Sequence, residues 1–364
     1  MIATVEGLYT RAQDNVFYQN LALRGPDTTT TGDLVLDRNG RVLYGRLLAA
    51  GATPNTRGQR TQVLDVTNAS GDYTYSLTTQ LQKSFSDNFE GSAAYTFMRA
   101  RDIVSTTSST QGSNFRYQRS VSGRLDDMSV TRSKYDQPHR IIATGTYRFP
   151  TLTDVSMIYT GNSGSPYDYV YGSTGGTTGD LNADGQTQND LIYVPLDARN
   201  QTEILFNGYN GTVAQQDTAT MVANAFESFI QSTPCLNESR GKLLTRNACR
   251  NPWVNQFDIS IAQSISAKRF QNVQVRLDII NFGNLLNKEW GKQAFSDQGS
   301  TCGAICSSTL LLAHNRNVLP VGTPVGGNSP NAQGVFTFNP AFRAFNDANL
   351  SSNYTMQFSL RYSF

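Results

Sequence analysis

The chain has 364 residues, of which 16% are charged, and a formal net charge of +2; soluble domains carry roughly 25% charged residues. Mean hydropathy is −0.40, so the low charge comes from Ser, Thr, Asn, Gln, Gly and Tyr rather than from aliphatic residues. No run of about 18 apolar residues exists, which excludes a transmembrane helix but not a membrane β-barrel, whose lipid face takes only every second residue. No basic cluster is seen, so nucleic acid is set aside as a partner.

Seventeen Tyr and 19 Phe against 2 Trp make a strand-favouring mixture. Met1 to Arg11, with Val5, Leu8 and Tyr9, reads as a strand already under way. It lacks the charged-then-apolar pattern of a signal peptide. The chain is therefore expected to be the carboxy-terminal piece of a longer protein, with the signal peptide absent. A long loop over about 13–60 follows, containing a hairpin from Leu34 to Tyr44 turned by Asn39-Gly40.

Strands then come in pairs. Asp72 to Phe85 alternates Tyr73, Tyr75, Leu77 and Leu81 with Thr74, Ser76, Thr78, Gln80 and Gln82. Ser86 to Asn88 turns it into Phe89 to Arg101, where Phe89, Ala93, Tyr95 and Phe97 share a parity. A loop over about 102–138 leads to His139 to Phe149, and a short turn leads on to Val155, Met157 and Tyr159. The longest loop, about 161–251, carries one helix, Thr218 to Gln231, with Met221, Val222, Ala225, Phe226, Phe229 and Ile230 at helical spacing. Asp217 or Thr218 is its expected cap, Pro234 its stop, and its apolar stripe should pack a small core within the loop.

Trp253 to Ile265 and Val273 to Ile279 form the third pair, turned over Ala267 to Gln271. After a last loop, about 283–352, Asn353 to Phe364 places Tyr354, Met356, Phe358, Leu360, Tyr362 and Phe364 on one face. The predicted fold class is all-β: an antiparallel transmembrane β-barrel portion of about eight strands, with short turns at one end and long loops at the other. Arg276 and Asp278 share the parity opposite Val275 and Leu277 and are expected to face the lumen.

The segment Gly179 to Pro195 is the sharpest motif. Asp180, Asn182 and Asp184 stand at alternate positions before Gly185, as in an EF-hand-type loop that wraps a hard cation in oxygen ligands. The twelfth position is Leu191, and the acid Asp190 comes one residue early. These four residues are the candidate Ca²⁺ ligands; the other reading is a turn closed by its own hydrogen bonds. No other cofactor is expected. Cys235 with Cys249, and Cys302 with Cys306, form two local pairs that point to disulfides in a non-cytosolic protein. His139 and His314, the two histidines, accompany no G-x-S-x-G or H-E-x-x-H pattern, and Asp126-Asp127 has no apolar pocket. No catalytic residue is assigned, and the chain is not expected to be an enzyme.

The terminal strand resembles the last strand of bacterial outer-membrane barrels, and that resemblance assigns Phe358, Leu360, Tyr362 and Phe364 to the signal read by the barrel-assembly machinery. The run D-x-N-x-D-G…N-D-L-I-Y-V-P, then Cys235 to Trp253, then F-D-I-S-I, V-R-L-D-I-I-N-F-G-N-L-L-N and L-R-Y-S-F, resembles TonB-dependent outer-membrane receptors of the Oar-like branch. The resemblance implies a Cys235–Cys249 disulfide, an upstream plug, the TonB energy complex as a partner through that missing part, outer-membrane lipid around the barrel, and import of an extracellular ligand. Two other functions stay open on the residues alone. One is a passive or adhesive outer-membrane barrel. The other is a secreted β-sandwich that binds glycan with Ca²⁺.

Overall fold

The computed structural model describes residues 1–37, 39–48, 51–60, 62–116, 118–119, 124–173, 179–266, 272–296, 308–318, 333–347 and 351–363. Its main sheet is an antiparallel meander in which strand order follows chain order: β1 (Ile2–Arg11), β2 (Tyr73–Ser86), β3 (Phe89–Asp102), β4 (His139–Phe149), β5 (Thr153–Asn162), β6 (Val254–Ser266), β7 (Asn272–Ile280) and β8 (Thr355–Ser363). Thr131–Arg132 adds a short piece beside the outer end of β3. These are the strands that the alternation predicts, to within a residue or two at most ends.

Register explains why the strands share a sheet. Following Cα partners from β3 to β8, one row reads Phe89, Tyr147, Val155, Ile261, Leu277, Phe358. The neighbouring row, one residue away on each strand, reads Glu90, Thr146, Ser156, Ser260, Asp278, Gln357. Successive side chains point to opposite faces, so the sheet has one apolar and one polar face across six strands. A slip of one residue in any strand would swap them. Arg276 and Asp278 lie on the polar face and pair at 2.8 Å.

Among the described residues, no layer of protein covers the apolar face. Phe358 is 70% and Leu360 68% exposed, which rules out a sandwich in which a second described sheet covers them. Aromatic rings edge this face at both ends. Toward the short turns, Phe85 and Phe89 lie 5.2 Å apart, and Tyr147 and Phe149 4.6 Å. Toward the long loops, Tyr75 and Phe97 lie 6.2 Å apart, and Tyr159 and Phe257 4.8 Å. From Tyr75 to Phe85 a strand rises ~34 Å at ~3.4 Å per residue. Tilted by ~40°, it spans about 25 Å, the height of a barrel's lipid-facing band. The charged residues on this face, Arg11, Lys83, Arg99 and Arg101, sit toward strand ends. Among the described residues no helix is long and apolar enough to cross a membrane. The sheet is not closed: the outer edges of β1 and β8 pair neither with each other nor with another described strand.

The long connections are not structureless. They fold together at one end of the sheet around a core that includes Tyr169, Val170, Tyr171, Leu191, Ile192, Phe226, Ile230, Leu236, Leu244 and Phe336. A mixed four-stranded sheet contributes, ordered Tyr169–Ser173, Ser308–Val318, Gln333–Thr337, Leu205–Phe206, and its first and last pairings are parallel. His314, expected in a loop, lies in the second of these strands. The helix α1 spans Val213–Ser232 and begins five residues before its expected start. Thr212, not Asp217 or Thr218, is its cap: Gln215 Oε1 accepts a hydrogen bond from the Thr212 amide at 2.8 Å. Thr218 sits inside the helix, donating to the Ala214 carbonyl at 2.9 Å. As expected, its stripe packs a loop core, with Phe226 and Ile230 fully buried. Asn39 and Gly40 do turn the chain, with the Gly40 amide on the Asp37 carbonyl at 3.0 Å. The flanking segments pair by isolated bridges, Leu36 with Val42 among them, rather than as a ladder. The turn expected over Ala267 to Gln271 lies outside the described residues.

The two faces predict opposite responses to charge. Leu277→Arg should lower folding stability in a bilayer by about 2–4 kcal/mol. Ser260→Arg, on the polar face of the adjacent strand, should cost far less. Urea titration of each variant in lipid vesicles, followed by tryptophan fluorescence, makes the comparison.

Candidate functional site in the outer cap

The cap is pinned to the sheet by arginines. Asp136, just before β4, is wholly buried and takes the Ala100 amide at 2.9 Å. Four guanidinium groups approach its carboxylate: Arg250 at 2.7 Å, Arg101 at 3.4 Å, Arg99 at 3.8 Å and Arg132 at 3.9 Å. Burial first, and then the neighbouring Arg250, holds Arg132 below the usual arginine range. Beside this cluster Arg246 pairs with Asp102 at 2.5 Å and donates to the Ile103 carbonyl at 2.5 Å. Arg246 and Arg250 flank Cys249, which is bonded to Cys235 with Cα atoms 5.2 Å apart. Closing such a loop contributes about 3 kcal/mol. The Cys235–Cys249 bridge is the one expected; Cys302 and Cys306 lie outside the described residues.

The acidic motif is assembled and sealed. Asp180, Asn182, Asp184 and Asp190 are 0, 2, 0 and 3% exposed. The Asp184 and Gly185 amides donate to the Asp180 carboxylate at 3.1 and 3.0 Å. Asp184 accepts from the Gln186 amide at 2.7 Å and from the side-chain amides of Asn189 at 2.7 Å and Asn182 at 3.1 Å. Gly185, at φ +87°, makes the sharp turn the motif needs. Burial, with Asp190 nearby, pushes Asp184 up to about 7. The displaced acid, Asp190, accepts from the Leu181 amide at 2.7 Å and from Arg41 Nη1 at 2.8 Å. Arg41 also donates to the Leu191 carbonyl at 2.6 Å and approaches Asp37 at 3.6 Å. Among the described residues no three His, Cys, Asp or Glu side chains form a metal-ligand group by themselves.

Arg41 was not assigned from sequence, since nothing local marks a partner 149 residues away. It joins the first outer loop to the acidic loop, a junction reinforced by the Tyr44 amide on the Asn182 carbonyl at 2.7 Å. Beside this junction lies a cleft of ≈ 230 Å³ whose lining includes Arg24, Arg57, Tyr44, Leu125 and Asp126. The Tyr44 hydroxyl accepts from the Leu125 amide at 2.7 Å, and burial raises its pKa to about 12, so the phenol stays neutral.

Of the residues expected to form an assembly signal, Phe358, Leu360 and Tyr362 project from the apolar face of β8; Phe364 lies outside the described residues. His139 Nδ1 meets the Tyr95 hydroxyl at 2.8 Å at the outer end of β4.

One lipid-facing surface, one polar face and a folded cap at one end define a membrane protein that crosses with strands. Residues 10–318 match the model of a family described as an outer membrane beta barrel domain, and the chain belongs to that family. No curated protein and no solved structure matches it. The family indicates the outer membrane as the location and its lipid as the surroundings of the apolar face.

The cap anchor predicts a large effect from one carboxylate. Asp136→Ala leaves four guanidinium groups facing one another and should destabilise the cap by about 3–5 kcal/mol. Asp126→Ala, which breaks an exposed pair with Arg124, should cost no more than about 1 kcal/mol. Hydrogen exchange of the cap amides in each variant measures the difference.

Proposed function

We propose that this chain is part of the barrel, with its outer cap, of a ligand-importing receptor of the TonB-dependent type, in the Oar-like branch. The cap carries the reading. Ordering long loops costs about 1–2 kcal/mol per residue in backbone entropy. Here that cost is met by a dedicated core, a disulfide and a buried arginine anchor. A rigid outer surface with a cleft fits capture of an extracellular ligand better than it fits a simple pore. The polar face, with Gln256, Asp258, Arg276, Asp278 and Gln357, supplies a hydrophilic wall for passage. The open edges fit a wider barrel, because an unpaired strand edge in lipid is not tolerated. A plug outside this chain would then gate the passage and contact the inner-membrane energy complex. Assembly would run through the machinery that reads the last strand.

The test uses the protein extracted from its own outer membrane with detergent and passed over immobilised carboxy-terminal domain of TonB. Retention, lost when the free domain is added as competitor, is the expected result. Passage without retention would overturn the transport reading in favour of a passive or adhesive barrel.

A further inference from the structure

The cleft beside Tyr44 is lined by two arginines, Arg24 and Arg57, that pair with no described carboxylate. Leu23 and Thr56 form an antiparallel bridge there. The Arg24 amide donates to the Asn55 carbonyl at 3.0 Å, and the Arg57 amide to the Ala22 carbonyl at 2.7 Å. Arg24 therefore stands opposite Asn55, and Arg57 lies two residues beyond Asn55. Positions two apart share a face, and such diagonal neighbours stand about 7–8 Å from each other. Arg24 Nε donates to the Thr56 carbonyl at 3.1 Å, which holds its guanidinium over that segment. The two terminal nitrogens of Arg24, and the whole Arg57 guanidinium, meet no acceptor among the described residues.

Tyr44, also in the lining, adds a third donor. It is 3% exposed, and its hydroxyl oxygen accepts from the Leu125 amide. The hydroxyl's own proton meets no acceptor among the described residues. A buried tyrosine hydroxyl usually finds such a partner. The carboxylate in the lining, Asp126, is already paired: Arg124 donates to it at 3.0 and 2.7 Å. Three donor groups, two of them cationic, are thus left unsatisfied at the cleft. Leu21, Leu23 and Leu125 give it an apolar wall beside them.

We infer that this cleft binds the oxyanion head of a compact ligand, a carboxylate or a phosphate monoester, with the ligand's apolar body against the leucines. Arg24 and Arg57 grip the oxygens from two sides, since a guanidinium matches either head group through paired N–H donors. Tyr44 adds a neutral O–H donor. The volume of ≈ 230 Å³ selects for a small ligand; pockets for drug-sized molecules run from about 300 to 1,000 Å³. The inference deepens the receptor reading above and rests on it for the import of what is bound.

Equilibrium dialysis of the full chain in non-ionic detergent, with radiolabelled benzoate or phenyl phosphate as the probe, tests it. One of the two should bind once per chain, with a dissociation constant on the order of millimolar for so small a ligand. The tighter of the pair shows whether the head group is a carboxylate or a phosphate. Benzamide, of benzoate's shape without its charge, should compete at least about tenfold less well. Arg57→Gln should weaken binding about tenfold, and Arg24→Gln with Arg57→Gln should abolish it. Tyr44→Phe should weaken it by roughly fivefold. Arg199→Gln, at an exposed ion pair with Asp197 outside the lining, should leave it unchanged. Near-ultraviolet circular dichroism checks the fold of each variant. Arg57 is exposed, so its variant serves if Tyr44→Phe does not fold. Absence of saturable binding of both probes at millimolar concentration would overturn the site, as would binding that survives the double arginine substitution or equal competition by benzamide. None of these outcomes touches retention on the TonB domain, so the cleft and the import reading can fail separately.

Discussion

Everything in the sheet depends on keeping one parity of side chains together across successive strands. The row from Phe89 to Phe358 and the row from Glu90 to Gln357 differ by one residue per strand. That single step separates hydrocarbon from water. The cost of error is large in both directions, since a charged side chain in mid-bilayer costs about 2–4 kcal/mol. Among the described residues the apolar face packs on no protein core, and in lipid it needs none. Its apolar face is matched to lipid, and its aromatic edges mark where that match ends.

The cap follows a different physics. Its residues bury apolar surface against each other, with Phe226, Tyr169 and Leu236 fully enclosed. The joint between the two regimes is ionic. Asp136, Asp102 and the arginines around them lie where strands leave the apolar band and loops begin. Guanidinium groups suit that place because each donates to several carbonyls as well as to a carboxylate. Arg250 reaches the Asp136 and Gly164 carbonyls, and Arg132 those of Asn247 and Ala248. The disulfide-closed segment is thereby held to the sheet from two sides of Cys249.

What was legible in the sequence was local. The strands, their order and their two faces follow from a two-residue alternation that each segment displays by itself. The Cys235–Cys249 bridge closes a short stretch of chain. The helix was visible wherever its apolar stripe ran. Its first turn was missed because Val213 to Asp217 carries little of that stripe, yet Thr212-x-x-Gln215 is a readable capping pattern. The Asp180–Asp184 spacing was visible too, with Asp190 one residue short of the usual closing position.

Tertiary structure alone decided the rest. Arg41 meets Asp190 across 149 residues, and Arg250 meets Asp136 across 114. The parallel pairing of Tyr169–Ser173 with Ser308–Val318 joins two different outer loops. Such contacts leave no period in the chain, because an arginine that finds a distant carboxylate looks the same in sequence as one in water. Alternation is written residue by residue, so the sequence determined which side of each strand faces lipid. The partners of buried charges are chosen only once the loops have folded against one another, so the structure determined how the cap is built and held.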